Sequence, residues 1–359
     1  MSLFRIGLSR VFLASDGTPA FDAQAWRMLQ EAPGIEVAFL DGPAESPVTR
    51  EDVRQYDALL IKRNPVVASL FGSADDAPIR LRLLARNGVG YDHIDIAACT
   101  RAGVMVSITP EAVARPVASA VMAMLLAFSH RLFERDRLTR EGRWNERWNR
   151  PGMALAGRTL GVVGLGNIGC ELLRLAAPWG MHHLAFTPRP RPERYAGLDV
   201  ALTTLESLLE QADFVALCCP LNVATRGMID AAAFARMQPH AFLVNTARGE
   251  VVNEADLVDA LRSGRIAGAG IDVFATEPPR NDNPLFGMDN VIVGSHNLAF
   301  TDELNTMANR SIAKAALRVA SNAVPSNVIN PLVLRHPRLA GLSPLSEGIG
   351  RPGNGAGPS

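Results

Sequence analysis

Three short segments hold side chains whose types could do chemistry together: Asn245-Thr246-Ala247-Arg248-Gly249-Glu250, Asp272-Val273-Phe274-Ala275-Thr276-Glu277-Pro278-Pro279 and Gly294-Ser295-His296-Asn297-Leu298-Ala299. Each follows an apolar run, so each is expected at the end of a strand. An imidazole such as His296 exchanges a proton near neutral pH. A carboxylate such as Glu277 can orient that ring, and a guanidinium such as Arg248 can grip a carboxylate at two points. Taken singly, each has a plain alternative: a satisfied structural histidine, a surface carboxylate, a solvated arginine.

A fourth segment gives them something to work on. Thr159-Leu160-Gly161-Val162-Val163 is an apolar run that ends in Gly164-Leu165-Gly166-Asn167-Ile168-Gly169 and opens into the helical pattern of residues 171–176. Strand, tight turn and helix in that order form a dinucleotide-binding unit. Gly164 permits the turn, Gly166 lets a pyrophosphate approach the backbone, and Gly169 lets the helix pack closely on the strand, with helix amides facing the phosphates.

These segments need a scaffold, and the rest of the chain reads as one. Apolar runs at 4–8, 35–40, 57–61, 80–85 and 103–107 suggest a parallel sheet in an N-terminal α/β unit. Between the last two lies Asn87-Gly88-Val89-Gly90-Tyr91-Asp92, whose glycines allow a sharp loop with amides able to meet a carboxylate. Residues 110–130 read as a long buried helix between domains. After the glycine motif, strands at 183–186, 214–217, 242–245, 269–274 and 290–294 alternate with helical segments, which predicts a second, doubly wound parallel sheet. Residues 301–321 form an amphipathic helix that returns the chain to the first domain. Residues 133–151 are charge-rich and carry Trp144 and Trp148, a mixture that marks a subunit contact or an exposed loop folded back.

Composition narrows the partners. The 359 residues exceed the usual size of one core, and 36 basic against 36 acidic residues leave no net field for nucleic acid or an anionic membrane. A small molecule is the expected partner. Cys99, Cys170, Cys218 and Cys219 show no paired metal-ligand spacing, so no metal site is expected, and reduced thiols suit a cytoplasmic setting. No export signal is read at the start, and the apolar run 117–128 is shorter than the about 20 residues a bilayer needs.

In their order, the Val89-Gly90 loop, the Gly164–Gly169 turn and the segments around Arg248, Glu277 and His296 resemble the D-isomer-specific 2-hydroxyacid dehydrogenase family over residues 50–330. The resemblance implies two Rossmann-like doubly wound parallel-sheet domains, the cofactor domain (109–299) inserted into a split substrate domain (1–108 and 300–334). A tail from 335 to 359, rich in Gly, Pro and Ser, is expected to be disordered. Reduction of a 2-oxo acid needs a hydride at the carbonyl carbon, a proton at its oxygen and a cation on the carboxylate. By resemblance His296 supplies the proton, Glu277 orients it, and Arg248 with the amides of Val89 and Gly90 holds the substrate. Gly164, Gly166, Asn167, Ile168 and Gly169 take the pyrophosphate, Cys219 and Pro220 pass the ribose, Thr246 and Ala247 line the nicotinamide pocket, and Asp272 accepts from its carboxamide.

The departures are informative. Cys218 stands where the family often has His, Asn222 where Thr is usual, and Ser295 where Pro often precedes the histidine. Members specific for NAD carry an acidic residue at the end of the strand after the glycine motif, on the ribose hydroxyls. Here that place holds Thr187, followed by Pro188-Arg189-Pro190-Arg191-Pro192, which suits a 2′-phosphate. The expectation is a homodimeric reductase of glyoxylate, hydroxypyruvate or a similar acid, preferring NADP(H) over NAD(H). A 3-phosphoglycerate dehydrogenase is disfavoured by Thr187 and because no regulatory domain is read after residue 334. A formate dehydrogenase is disfavoured by the acidic Glu277. A dinucleotide-sensing corepressor shares the fold but would not need the full Arg248, Glu277 and His296 set.

Overall fold

The computed structural model describes residues 3–72 and 78–344. Contacts divide the chain into two compact units, one built from residues up to Pro110 and from Asn305 onward, the other from Glu111–Leu304. The second boundary lies inside the helix Asp302–Ala320, later than the 299/300 boundary read from the sequence.

The first unit holds a five-stranded sheet of β1 (Phe4–Leu8), β2 (Ile35–Phe39), β3 (Ala58–Ile61), β4 (Leu83–Arg86) and β5 (Met105–Ser107), in the order β2-β1-β3-β4-β5 with every pair parallel. The second holds seven parallel strands: β6 (Thr159–Val163), β7 (His182–Phe186), β8 (Ala201–Leu202), β9 (Phe214–Leu217), β10 (Phe242–Asn245), β11 (Gly268–Ile271) and β12 (Val291–Val293). Their order is β12-β11-β10-β9-β6-β7-β8. Strands such as β3 and β9 are buried at every residue, which is why they read as unbroken apolar runs rather than alternating ones. The two-residue β8 is too short to show any periodicity.

Both sheets use one device at their amino edge. Asp57, directly before β3, accepts from the Arg5 amide (2.7 Å) and the Arg80 guanidinium (2.8 Å), while its own amide donates to the Arg5 carbonyl. Asp213, directly before β9, accepts from the Thr159 amide (2.8 Å), from Arg158 (3.0 Å) and bonds His240 Nε2 (2.8 Å), while its amide donates to the Thr159 carbonyl. Burial pushes the Asp213 carboxyl up, but these partners outweigh it and hold it below its ordinary value. Each carboxylate thus ties together the two strands, β1/β3 or β6/β9, between which strand order reverses.

The helix Pro110–Ser129 is long and apolar enough to match a membrane span by composition, so the shorter run 117–128 understates it. Two thirds of its apolar window is buried, with Val121, Met124 and Leu125 packed in one cluster with Leu160, Val162 and Phe214 of the second sheet. Helix Asp302–Ala320 packs Ile312, Ala316 and Val319 into the first unit's core, and its buried Asn309 accepts from the Asn87 side chain at 2.8 Å.

The expected disorder from residue 335 is corrected for 335–344. Pro331–Arg335 and Pro337–Leu339 are single 3-10 turns that bury Val333 and Leu339, and the Arg338 guanidinium donates to the carbonyls of Ala102, Ile79 and Leu81. An anchor made by one leucine and one arginine has no periodic signature. The rest of that tail, 345–359, lies outside the described residues.

Candidate active site

At the carboxyl end of β6 the three glycines meet three different constraints. Gly164 has φ +107°, and a Cβ there would lie 2.9 Å from the Cys218 carbonyl oxygen and the Cys219 nitrogen, so the turn after β6 is pressed against the chain leaving β9. A Cβ on Gly169 would lie 2.2 Å from the Gly164 carbonyl oxygen, which fixes the close seat of the helix Asn167–Ala176. A Cβ on Gly166 would meet nothing within 4 Å: the space above it is open. Gly166 is the N-cap and brings no side chain to the first helical amides. Open space, uncapped amides and a strand-order reversal between β6 and β9 are features that a dinucleotide pyrophosphate would fit. Asn167 is exposed and Ile168 half-buried at this helix start.

Around that seat, Thr187 is half-buried directly after β7, while Arg189 and Arg191 are exposed on the Pro-rich loop that follows. Cys218 and Cys219 turn to opposite faces of the sheet, each packing against a different core cluster, and Pro220 is exposed. Burial pushes the Cys218 thiol up to about 12 and the Cys219 thiol to about 11, so both remain protonated. Among the described residues, no group of three or more His, Cys, Asp and Glu is placed to hold a metal.

The three chemistry-bearing segments leave β10, β11 and β12, which are neighbours in the sheet. The strand β10 ends in Asn245, buried and polar. Its amide nitrogen donates to the Arg248 carbonyl (2.9 Å) and its oxygen accepts from the Ala247 amide (3.0 Å), folding Thr246-Ala247-Arg248 into a tight hook. The Arg248 side chain is half-buried and donates to the Ala247 carbonyl. Thr246 Oγ1 is buried with no hydrogen-bond partner, a polar atom left for a ligand to satisfy. Gly249 is seated against the next segment: a Cβ there would lie 1.9 Å from the Phe274 carbonyl carbon and 2.3 Å from the Ala275 nitrogen.

His296 Nδ1 lies 2.8 Å from Glu277 Oε2 and 3.0 Å from Oε1, and the Phe274 amide donates to Oε1 at 3.1 Å. His296 adopts a left-handed backbone, φ +56°. Histidine tolerates that region better than most residues, and here the surroundings enforce it. The His296 amide donates to the Asp272 carbonyl (2.7 Å), and the Asn297 and Leu298 amides donate to Asp272 Oδ1. Burial pushes the Asp272 carboxyl up, against these amide bonds. With Ser295 in place of a proline, the Glu277–His296 contact still forms.

Sequence reasoning thus located Arg248, Glu277, His296, Thr246, Ala247 and Asp272 on three adjacent strand ends of the second unit. Val89 and Gly90 belong to the first unit, in the loop after β4. There Gly88 has φ +123° and donates to Thr109 Oγ1 (2.8 Å). Two residues were missed. Asn245 carries a legible signal, a lone amide closing an apolar strand; the seat of Gly249 depends on a segment distant in sequence and leaves none.

The fold and this constellation define an NAD(P)-dependent oxidoreductase of two α/β units, acting on the CH–OH group of 2-hydroxy acids. Residues 122–297 match the family described as D-isomer specific 2-hydroxyacid dehydrogenase, NAD binding domain. A glyoxylate reductase from Korarchaeum cryptofilum is 37% identical over 300 residues, covering 82% of this chain and 89% of that protein. A D-3-phosphoglycerate dehydrogenase from Mycobacterium leprae is 38% identical over 295 residues, covering 82% of this chain but 55% of its own longer length. The crystal structure of an NADPH-dependent glyoxylate/hydroxypyruvate reductase from Sinorhizobium meliloti, in complex with NADP and malonate, superposes with a TM-score of 0.75 at 26% identity, over 91% of this chain and 97% of that one. The chain belongs to the D-isomer specific 2-hydroxyacid dehydrogenase family.

Proposed function

We propose that the protein is an NADP(H)-preferring reductase of small 2-oxo acids, of the glyoxylate/hydroxypyruvate reductase type, working in the cytoplasm as a homodimer. The observation that carries the reading is the 2.8 Å contact between His296 Nδ1 and Glu277, on the strand end beside the one that bears Arg248. Bound to Nδ1, the carboxylate leaves Nε2 of the ring to carry the exchangeable proton. His296 gives that proton to the carbonyl oxygen of the 2-oxo acid, Glu277 holds the ring in place, and Arg248 takes the carboxylate. The Val89 and Gly90 amides add to the carboxylate's seat.

The nicotinamide cofactor supplies the hydride that reaches the carbonyl carbon. Gly164, Gly166, Asn167, Ile168 and Gly169 would hold its pyrophosphate, Cys219 and Pro220 its ribose, and Thr246, Ala247 and Asp272 its nicotinamide end. Preference for NADP(H) rests on Thr187, which puts no carboxylate beside the ribose, and on Arg189 and Arg191, which put two cations there. Dimerisation rests on the arm Leu132–Trp148, in which neither helical segment buries a residue and Trp148 is 79% exposed.

The test is turnover of NADPH and NADH against glyoxylate, hydroxypyruvate and other 2-oxo acids, with the oxidation of 3-phosphoglycerate run beside them because relatives of that name are equally similar. Reduction of a 2-oxo acid with NADPH as the better donor is the expected result. Activity confined to 3-phosphoglycerate, or NADPH binding with no turnover, overturns the reading.

A further inference from the structure

The helix Glu254–Arg262 begins shortly after the hook that carries Arg248, and its first residue spends both carboxylate oxygens on a segment distant in sequence. Glu254 Oε2 accepts from the Ala275 amide at 3.2 Å, and Oε1 accepts from the Asn283 side-chain amide at 2.8 Å. An acidic residue in the first turn of a helix is ordinarily explained by the helix dipole. The dipole accounts for a carboxylate at this place, but not for two bonds to opposite ends of one loop.

That loop carries Glu277. Apart from Glu277 and Pro279, every residue of the stretch 275–282 is exposed, so packing does little to hold it. The ion pair between Arg280 and Asp282 joins near neighbours and does not tie the stretch to the rest of the unit. Its two ends are better fixed. Before it, Phe274 is buried and its amide donates to Glu277 Oε1 at 3.1 Å; after it, Leu285 is buried and its amide donates to Asn283 Oδ1 at 3.0 Å. Glu254 joins these two ends through a single carboxylate. A loop closed at its neck samples fewer conformations than one held only by the chain on either side. Glu277 is the side chain whose placement matters there, because it lies 2.8 Å from His296 Nδ1.

We infer that Glu254 is a positioning residue for the reduction: it clasps the neck of the loop that bears Glu277 and so keeps that carboxylate where it orients the His296 ring. Glu254 acts through Glu277 and not on substrate or cofactor. The inference rests on the 2-oxo acid reductase reading above and adds to it a residue that supports proton transfer from behind.

The experiment measures kcat and KM with NADPH and whichever of glyoxylate and hydroxypyruvate is reduced better, together with the NADPH dissociation constant, in Glu254→Ala, Glu254→Gln and Asn283→Ala. Glu254→Ala is expected to lower kcat by about tenfold or more, while KM and NADPH affinity stay within about twofold of the wild type. Glu254→Gln keeps the side chain's length and one acceptor, so it should recover part of that loss. Asn283→Ala opens the same clasp from its other end and should lower kcat in the same way; if Glu254→Ala does not fold, this variant carries the test by the same criteria. In a Glu277→Gln background, Glu254→Ala is expected to cost less than about threefold, since its effect passes through Glu277. Wild-type kcat in Glu254→Ala overturns the inference. So does a loss shared equally by KM and NADPH affinity, or one that adds in full to that of Glu277→Gln, because a general weakening of the fold would give either. A wild type that reduces no 2-oxo acid overturns the underlying reading instead, before any variant is made.

Discussion

Gly249 and Phe274 are in backbone contact: a Cβ added to the glycine would sit 1.9 Å from the phenylalanine carbonyl carbon. This contact joins the hook that carries Arg248 to the segment that carries Glu277, so the cation and the oriented histidine share one rigid frame. Gly249→Ala must push the two segments apart. Displacement of a reacting group by about 1 Å costs on the order of a hundredfold in rate, and that loss in kcat/KM is expected for Gly249→Ala while circular dichroism reports an intact fold. Wild-type kinetics in this variant would show that the contact does not position the site.

The proposed preference for NADP(H) assigns cofactor choice to a short loop. The 2′-phosphate that separates NADPH from NADH needs cationic donors and excludes a carboxylate. Arg189 and Arg191 are exposed beside Thr187, and intervening prolines restrict the loop before binding. One charge-assisted hydrogen bond is worth about 1.5 to 3 kcal/mol, so removing both arginines is expected to cut the NADPH preference by roughly ten- to a hundredfold. The check is the ratio of kcat/KM for the two cofactors in Arg189→Ala, Arg191→Ala and the double variant. A preference untouched by the double replacement removes this loop from phosphate recognition.

Much of this was legible in the sequence because local signals agreed with the fold. Fully buried strands such as β3 and β9 appear as apolar runs, and the glycines of the turn after β6 each answer a constraint set within a few residues. What stayed hidden depends on contacts between distant segments. The seat of Gly249 on Phe274, the left-handed turn of His296 enforced by Asp272, and the anchoring of Arg338 on three main-chain carbonyls follow from tertiary packing and leave no periodic trace. The aspartates before β3 and β9 stood in plain view, yet a carboxylate ahead of an apolar run reads as an ordinary strand boundary until both ladders are seen.

Asp213 makes stability depend on pH. Its carboxyl is held below its ordinary value by the Thr159 amide, His240 and Arg158 in spite of burial. A depressed folded-state value means that the contribution is present above the unfolded carboxylate value and is lost as pH falls through the folded one. Asp213→Asn is expected to destabilise the chain by about 2 to 4 kcal/mol near neutral pH. In urea titrations the gap between wild type and variant should narrow as pH drops below the ordinary carboxylate range. A gap that stays constant with pH, or none at neutral pH, contradicts the assignment.

The exposed arm predicts assembly. Arg147 lies between the rings of Trp144 and Trp148, with its guanidinium 5.0 Å and 5.1 Å from their centres, and Arg143 pairs with Glu141 and Glu146. The arm is therefore ordered by its own contacts and still leaves both indoles uncovered. Light scattering is expected to find a dimer, and Trp148→Ala should raise its dissociation constant by about tenfold or more. An active monomer at assay concentration would remove the arm from any interface.

The most direct test of the whole account is His296→Ala, with turnover and cofactor affinity measured separately on the same preparation. Loss of a general acid lowers kcat by about 10² to 10⁴, and Glu277→Gln should follow it in direction because the 2.8 Å contact is what orients the ring. The dissociation constant for NADPH, read from its fluorescence on binding, is expected to stay close to the wild-type value, since neither side chain belongs to the pyrophosphate seat. Wild-type turnover in His296→Ala would contradict the account, and so would a fall in turnover that is matched by an equal loss of NADPH affinity.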